Sequence, residues 1–268
     1  ETVVLVTAVM NKNTATGMGY FPLSVEFEER FYATGQILGS RFQRREVRPS
    51  EGAVLSARIV DRTIRPLFNQ ALRNEIQVII TVLSAGEDDP DVLGVIGASL
   101  ALGVSDIPWD GPVGAVRIGK RKGTGEIVIN PTYTERANGL LTYEVLACGQ
   151  NETINMIETA GYEISEAEVV DALQSAVRIN TMIETFQKNI IAEIGKEKRT
   201  LDLATVGDDV IALFANEMQE KLEATLFSNR SGKAHLYELK NEWAELLKAS
   251  LPEADKNLAG EHFEHAVD

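Results

Sequence analysis

The chain has 268 residues, 44% of them hydrophobic, and its 40 acidic residues against 26 lysines and arginines give a formal net charge of −14. This size and hydrophobic content predict a soluble globular protein with one large domain or two smaller ones. No apolar run approaches the roughly 18 residues of a membrane helix, no secretion signal opens the chain, and the single Cys148 excludes an internal disulfide, so we expect a cytoplasmic protein.

Short β-branched runs separated by Gly and Pro fill the first 160 residues and predict an α/β (α+β) domain with a mixed sheet and packed helices. Asp110-Gly111 and Gly123-Thr124-Gly125 predict hairpin connections. Helices are predicted at about 51–68, with Ser50 as N-cap, and at about 90–104, where small and apolar residues point to a buried helix. The predicted strands are residues 2–9, 22–31, 76–84, 113–119, 126–130, 140–148 and 153–160.

Helical patterns take over from Ser165. A capping box of Ser165 and Glu168 opens a predicted helix of about 30 residues. Its apolar stripe comprises Val169, Leu173, Val177, Met182, Ile183, Ile190 and Ile194. Further helical patterns, at about 207–227, 234–249 and 256–268, predict a small all-α module. We therefore divide the chain at residues 196 and 197.

Arginines are concentrated between positions 41 and 73, where eight of them stand against three acidic residues. A guanidinium binds phosphate oxygens in a bidentate fork and stacks on bases, so the concentration indicates a phosphate-rich ligand. Arg44, Arg45 and Arg48 lie between Gly39 and Pro49, where no helix offers partners. Ligand contact is the interpretation that this setting favours for them.

Arg58, Arg62 and Arg65 lie on one face of the predicted helix at 51–68. Two interpretations fit them: a binding site for an anion, or ion pairs with Glu51 and Asp61. The sequence leaves both open. His262 and His265, three residues apart, fit no established metal-binding spacing, so no metal site is predicted in this chain.

Several longer blocks carry a resemblance to a known family. They are FPLSVEFEERF from residue 21, RPSEG from 48, ARIVDRTIRPLF from 57, GASLALGVSDIPWDGPVGAVRIG from 97 and VINPT from 128. In order and spacing they resemble the polynucleotide phosphorylase family, in its first RNase PH-like core. The resemblance is dense to about residue 195 and weaker over the helical patterns beyond.

That resemblance implies an activity for a longer protein. In the family, two RNase PH-like cores flank a helical domain, and three chains form a ring around a pore. Phosphate is the co-substrate that releases nucleoside diphosphates from the 3′ end of RNA, with Mg²⁺ bound in the second core. This chain would be a fragment: a first core at 1–196 without its N-terminal strands, and part of the helical domain at 197–268. Its partners would be RNA, two further copies and other proteins of mRNA degradation.

The same resemblance implies that this core lacks the chemistry. The serine loop that binds phosphate in the second core falls on Asp89, Pro90 and Asp91, where two carboxylates repel an anion. The two metal-binding aspartates fall on Arg136 and Thr142, and the catalytic lysine falls on Glu144. We expect no catalytic residue in this chain.

RNA guidance is what the resemblance leaves to this core. The family's pore loop falls on Phe42, Arg44, Arg45 and Arg48, which would supply an aromatic ring for a base and cations for phosphates. One extra residue after Ser40 leaves open which arginine faces the pore. The alternative function is a non-enzymatic ring subunit of an exosome-like complex, against which the helical module argues.

Overall fold

The computed structural model describes residues 1–14, 20–37, 39, 48–201, 203, 206–228 and 232–267. The chain divides into two compact units: Phe21–Thr200 belongs to the first, together with the start of the chain, and Leu201–Asp268 belongs to the second, together with Tyr20. The strands are β1 (Val3–Thr14), β2 (Leu23–Glu29), β3 (Asn74–Ser84), β4 (Gly114–Arg121), β5 (Ile127–Ile129), β6 (Leu141–Gly149) and β7 (Met156–Gly161). The helices are α1 (Glu51–Ile64), α2 (Pro90–Val104), α3 (Tyr133–Ala137), α4 (Glu166–Ile194), α5 (Asp208–Glu217), α6 (Gln219–Leu226), α7 (Ala234–Ser250) and α8 (Lys256–Val267).

Two sheets organise the first unit. The first has the order β1-β3-β2, with β1 antiparallel and β2 parallel to β3. The second has the order β5-β4-β6-β7 and is antiparallel throughout. All seven predicted strands are confirmed, and the mixed pairing of the first sheet confirms the α+β class.

Helix α2 contacts both sheets, which explains why its sequence is small or apolar on every side. A Cβ added at Gly97 would lie 2.7 Å from Cγ2 of Val6, so only glycine allows this approach to β1. At the other end of the helix, Nζ of Lys198 donates hydrogen bonds to the carbonyls of Leu102, Gly103 and Ser105, at 2.7, 3.1 and 2.8 Å. Helix α2 is therefore fixed along its length and at its end.

Helix α1 begins as predicted, because Oγ of Ser50 accepts a hydrogen bond from the backbone N–H of Ala53 at 2.9 Å. It ends at Ile64 rather than at residue 68, and a short 3₁₀ turn at Arg65–Leu67 follows. Proline inside this turn has no N–H to continue the α-helical hydrogen bonds. The helix packs on β2 and α2.

Helix α4 is confirmed from its capping box onward, but the predicted stripe is wrong at two positions: Met182 and Ile194 are 71% and 62% exposed. The buried row consists of small and polar residues: Ala172, Ala176, Asn180, Glu184 and Gln187. A Cβ added at Gly114 would lie 2.7 Å from Cα of Asn180, so the helix approaches β4 too closely for large side chains there.

Two other local predictions are wrong, and one helix was missed. Asp110-Gly111 is not a hairpin, because it follows α2; Trp109 anchors this segment by donating from Nε1 to the carbonyl of Ile64 at 3.1 Å. The pattern at 207–227 forms two helices, α5 and α6, that meet at the buried Met218. Helix α3 was not predicted at all.

The second unit has its own core. Phe214 packs edge-on against Trp243, Phe263 and His262, with centroid distances of 5.2, 6.0 and 5.0 Å. Nε1 of Trp243 donates to the carbonyl of Ala259 at 3.0 Å, so the buried indole has its partner. Among the described residues, no helix combines the length and the apolar character needed to cross a membrane.

Candidate functional site

Charged side chains from four elements meet at the beginning of α2. Asp89 is the N-cap of this helix and accepts from the N–H of Asp91 at 2.9 Å. Arg117 comes from the middle of β4, Glu144 from the neighbouring β6, and Arg136 from α3. We call these five residues the charge cluster.

Arg117 lies at the centre of the charge cluster and is only 3% exposed. Its Nε lies 2.6 Å from Oδ2 of Asp89, its Nη1 lies 3.3 Å from Oε1 of Glu144, and its Nη2 lies 3.5 Å from Oδ2 of Asp91. One guanidinium thus connects the beginning of α2 to both central strands of the second sheet. A charge this deep is tolerated only when it is paired.

Arg136 closes the cluster from α3. Its Nε and Nη2 form a bidentate contact with Glu144, at 2.6 and 2.9 Å, and its Nη1 lies 3.2 Å from Oδ2 of Asp89. Helix α3 can hold the arginine there because Thr132 and Glu135 form a capping box that fixes its first turn. Asp89 and Glu144 are each shared by two guanidinium groups.

The charges of the cluster do not balance, because three carboxylates face two guanidinium groups. Burial, together with the charge of Asp89, raises the pKa of Asp91 above its ordinary value. With Asp91 ionised, the site has one more negative than positive charge, and an incoming phosphate would meet net repulsion.

Most of the residues that the family resemblance places at the catalytic positions of the second core lie close together in this structure. Of the residues predicted to replace the catalytic set, the structure brings together Asp89, Asp91, Arg136 and Glu144. Thr142 lies on β6, where its carbonyl accepts from the N–H of Tyr162 at 3.3 Å. The donor set does not fit Mg²⁺, because guanidinium groups already contact the carboxylate oxygens that a hard cation would need.

A groove of about 1290 Å³ lies beside the cluster. Its walls come from β2, α1 and the start of α2, and Tyr133 of α3 is part of its lining. Charged and aromatic residues of the lining include Glu26, Glu28, Glu29, Arg30, Phe31, Arg48, Arg58, Asp61, Arg62, Arg65 and Tyr133.

Of the four predicted RNA-binding residues, the described part of the chain includes one. Phe42, Arg44 and Arg45 lie outside the described residues. Arg48 is exposed and lines the groove, immediately before Pro49 and the N-cap of α1.

The predicted anion site separates into two kinds of arginine. Arg58 and Arg62 are exposed, line the groove, and have no ion pair or side-chain hydrogen bond within the described part of the chain. Arg65 instead binds Asp61 through Nε and Nη2, at 2.9 and 2.6 Å, and donates to the carbonyls of Phe21 and Leu23. The ion-pair interpretation describes Arg65, whereas the other two remain available to a ligand.

Sequence reasoning missed two residues of this region. Arg117 stands alone among the small and apolar residues of a buried strand, which is a signal for a buried ion pair. Tyr133 follows Thr132, whose spacing to Glu135 is the sequence signature of a helix start.

Comparisons with known proteins agree with this fold. Residues 1–108 match the 3′ exoribonuclease family, domain 1, and residues 111–179 match the 3′ exoribonuclease family, domain 2. The structure of rice (Oryza sativa) Rrp46 matches with a TM-score of 0.56 at 17% identity, covering 71% of this chain and 84% of that one. At such low identity the likeness supports the fold alone.

Curated relatives extend the comparison beyond the family domains. A polyribonucleotide nucleotidyltransferase of Heliobacterium modesticaldum is 36% identical over 96% of this chain. Others are 44% identical over 85% (Thermomicrobium roseum) and 38% identical over 100% (Thermotoga maritima). The chain spans only 36%, 28% and 38% of these relatives' own lengths. Because both domains of one family follow each other along its first unit, the chain belongs to the 3′ exoribonuclease family.

Proposed function

We propose that this chain is the non-catalytic first core of a polyribonucleotide nucleotidyltransferase, a phosphate-dependent 3′ to 5′ exoribonuclease. The charge cluster carries the proposal. Where the family's second core binds phosphate, this core has Asp89 and Asp91, whose oxygens are taken by Arg117 and Arg136. The reaction, its phosphate and its Mg²⁺ would therefore belong to a second core of a longer protein.

The remaining roles are those that the resemblance to the polynucleotide phosphorylase family implies. Residues 1–196 would build a homotrimeric ring, and residues 197–268 would be part of the helical domain that joins the two cores. The protein would act in the cytoplasm on single-stranded RNA, together with other proteins of mRNA degradation. The relatives' name and the small share of their length that this chain covers support this division of labour.

RNA guidance is the part of the activity that we assign to this chain. Phe42, Arg44, Arg45 and Arg48 would hold single-stranded RNA through base stacking and phosphate contacts. The anion site would rest on Arg58 and Arg62, with Arg65 held beside them by Asp61. Support comes from the exposed guanidinium groups of Arg48, Arg58 and Arg62, which line the groove and have no ion pair within the described part of the chain.

A non-enzymatic ring subunit is less well supported. The alignment with the Thermotoga maritima relative runs over the whole chain, including the helical unit, and that relative is named as an enzyme. We therefore keep the enzyme as the conclusion.

An assay of phosphorolysis tests the proposal. ADP release from poly(A) is measured in the presence of phosphate and Mg²⁺, for this 268-residue chain and for the longer protein that includes the second core. We expect release by the longer protein only. Release of ADP by this chain alone would contradict a non-catalytic first core.

A further inference from the structure

Tyr133 presents a fixed aromatic ring at the edge of the groove. Its backbone N–H donates to the carbonyl of Glu87 at 3.0 Å, and its side chain is 41% exposed. Cζ of Arg136 lies 5.7 Å from the ring centroid, a cation–π distance. Because Glu144 and Asp89 hold that guanidinium, the ring rests on a support that cannot easily move.

The phenol of Tyr133 also keeps its proton. Burial, followed by the charges of Asp89 and Asp91, raises the pKa of Tyr133, so its phenol stays neutral over the physiological range. A neutral, partly exposed ring is suited to stacking on another planar group.

The acidic residues of the groove have partners. Glu28 pairs with Arg30, and Asp61 pairs with Arg65. The side chain of Gln77 donates to Glu26 at 3.0 Å. Glu29 accepts from Oγ of Ser50 at 2.6 Å. Because Gln77 and Ser50 are neutral, Glu26 and Glu29 keep their charges, and the lining has five arginines against four carboxylates, a surplus of one positive charge.

The arginines of the lining that have no carboxylate partner among the described residues are Arg48, Arg58 and Arg62. All three are exposed, and among the described residues none has an ion pair or a side-chain hydrogen bond. The surplus is complementary to a chain of phosphates, although the protein as a whole is strongly acidic.

The dimensions favour a polymer over a small metabolite. The groove volume of about 1290 Å³ exceeds the roughly 300–1,000 Å³ of typical small-molecule pockets. Cations along a groove with an aromatic ring at its edge are the arrangement by which proteins bind single-stranded nucleic acid. An acidic peptide would use the cations but would leave the ring without a stacking partner.

We propose that Tyr133 stacks on a base of single-stranded RNA whose phosphates contact Arg58 and Arg62. Tyr133 is not one of the residues of the predicted pore loop, although Arg48 of that loop lines the same groove. It rests on the proposed function, which supplies RNA as the ligand. The charge cluster would then have a structural part in RNA binding, because its Arg136 holds the ring of Tyr133 in place.

A pair of oligonucleotides tests the proposal on this chain. One is a labelled 12-residue oligo(A), and the other is an abasic oligonucleotide of equal length and charge; binding is followed by fluorescence anisotropy at low salt. Tyr133→Ala should weaken oligo(A) binding roughly 5- to 150-fold, the loss of one stacked base, and leave abasic binding unchanged. Tyr133→Phe keeps the ring and should bind like the unsubstituted chain.

Tyr162→Ala is the matched control. Tyr162 also lies over a cation, with Nζ of Lys122 5.0 Å from its ring centroid, but it does not line the groove. We expect this variant to bind both oligonucleotides normally.

Each other result has a definite meaning. Equal losses for the two oligonucleotides, or no loss for either, would overturn stacking at Tyr133 while leaving RNA guidance intact. A loss with Tyr133→Phe as large as that with Tyr133→Ala would overturn it too, since the ring is still present. If the unsubstituted chain bound neither oligonucleotide, RNA guidance itself would fail, and this proposal with it.

Discussion

Two arginine-rich regions lie side by side in the first unit and differ in what surrounds them. In the charge cluster, Arg117 and Arg136 are buried or half-buried and contact three carboxylates. In the groove, Arg58 and Arg62 are exposed and, among the residues described, unpaired. Arginine therefore stabilises the fold in the charge cluster, whereas in the groove its guanidinium group is exposed and can contact a ligand.

The difference shows that arginine content alone does not identify a ligand site. A guanidinium that already binds carboxylates and carbonyls has few of its five N–H groups left for a ligand. Arg65 is an example, because it lies one turn from Arg62 yet makes four hydrogen bonds to Asp61 and two carbonyls. Whether an arginine can bind a ligand depends on the carboxylates and carbonyls that the fold brings close to it.

The largest effect should come from breaking the cluster at its centre. Arg117→Met should lower the free energy of unfolding of the first unit by about 3–5 kcal/mol, because Asp89 would keep a buried charge with less compensation. Urea unfolding followed by Trp109 fluorescence, in a Trp243→Phe background, measures this unit separately. Arg58→Met is the matched control and should change the same quantity by less than about 0.5 kcal/mol. Equal effects of the two substitutions would contradict the claim that arginine stabilises the fold in the charge cluster but not in the groove.

A smaller effect, on binding rather than stability, should come from the groove. Replacing Arg48, Arg58 and Arg62 together by Gln should reduce the slope of log K against log salt for single-stranded RNA by up to about 2, at about 0.7 per lost phosphate contact.

The control for the groove substitutions keeps the net charge equal. It replaces Lys122, Arg178 and Lys248, three cations outside the groove, by Gln. Filter binding from 50 to 300 mM salt, roughly the range over which such contacts are screened, should show the original slope for this protein. A slope that falls equally in both proteins would mean that only the overall charge matters.

The smallest effect should come from Asp91. Its pKa is raised in the folded state, so the fold favours the protonated form, and ionisation costs stability as the pH rises past the unfolded value. Asp91→Asn should therefore raise the free energy of unfolding at pH 7 by up to about 1 kcal/mol and flatten its decline between about pH 4 and 7. Asp89→Asn should instead lower the free energy of unfolding at pH 7, because it weakens two close guanidinium contacts. Urea unfolding across this pH range compares the two variants.

Periodicity predicted the elements well because most of them have one apolar face. It failed on α4, where close approach to β4 selects small and polar residues such as Ala176 and Asn180 for the buried row. That approach is set by the sheet, so the helix sequence alone does not reveal it.

The candidate site shows the same limit. Aligning the two cores placed Asp89, Arg136 and Glu144 near one another, and the structure brings them together. Neither the alignment nor the local pattern indicated that Arg117 joins them, because its partners come from positions 28 and 27 residues away. Sequence reasoning led to the proposal that the catalytic residue types are missing, but the ion pairs that occupy the site could be seen only in the fold.

Helix α2 has a further consequence as an electric dipole. Its positive pole is met by the carboxylate of Asp89, and its negative pole by the ammonium of Lys198. With both poles matched inside the protein, the helix has little field left to offer a ligand. Replacing Asp89 and Asp91 by serine would therefore do more than remove two negative charges. A serine at position 89 would still cap the helix, but the positive pole would face no carboxylate and could attract an anion.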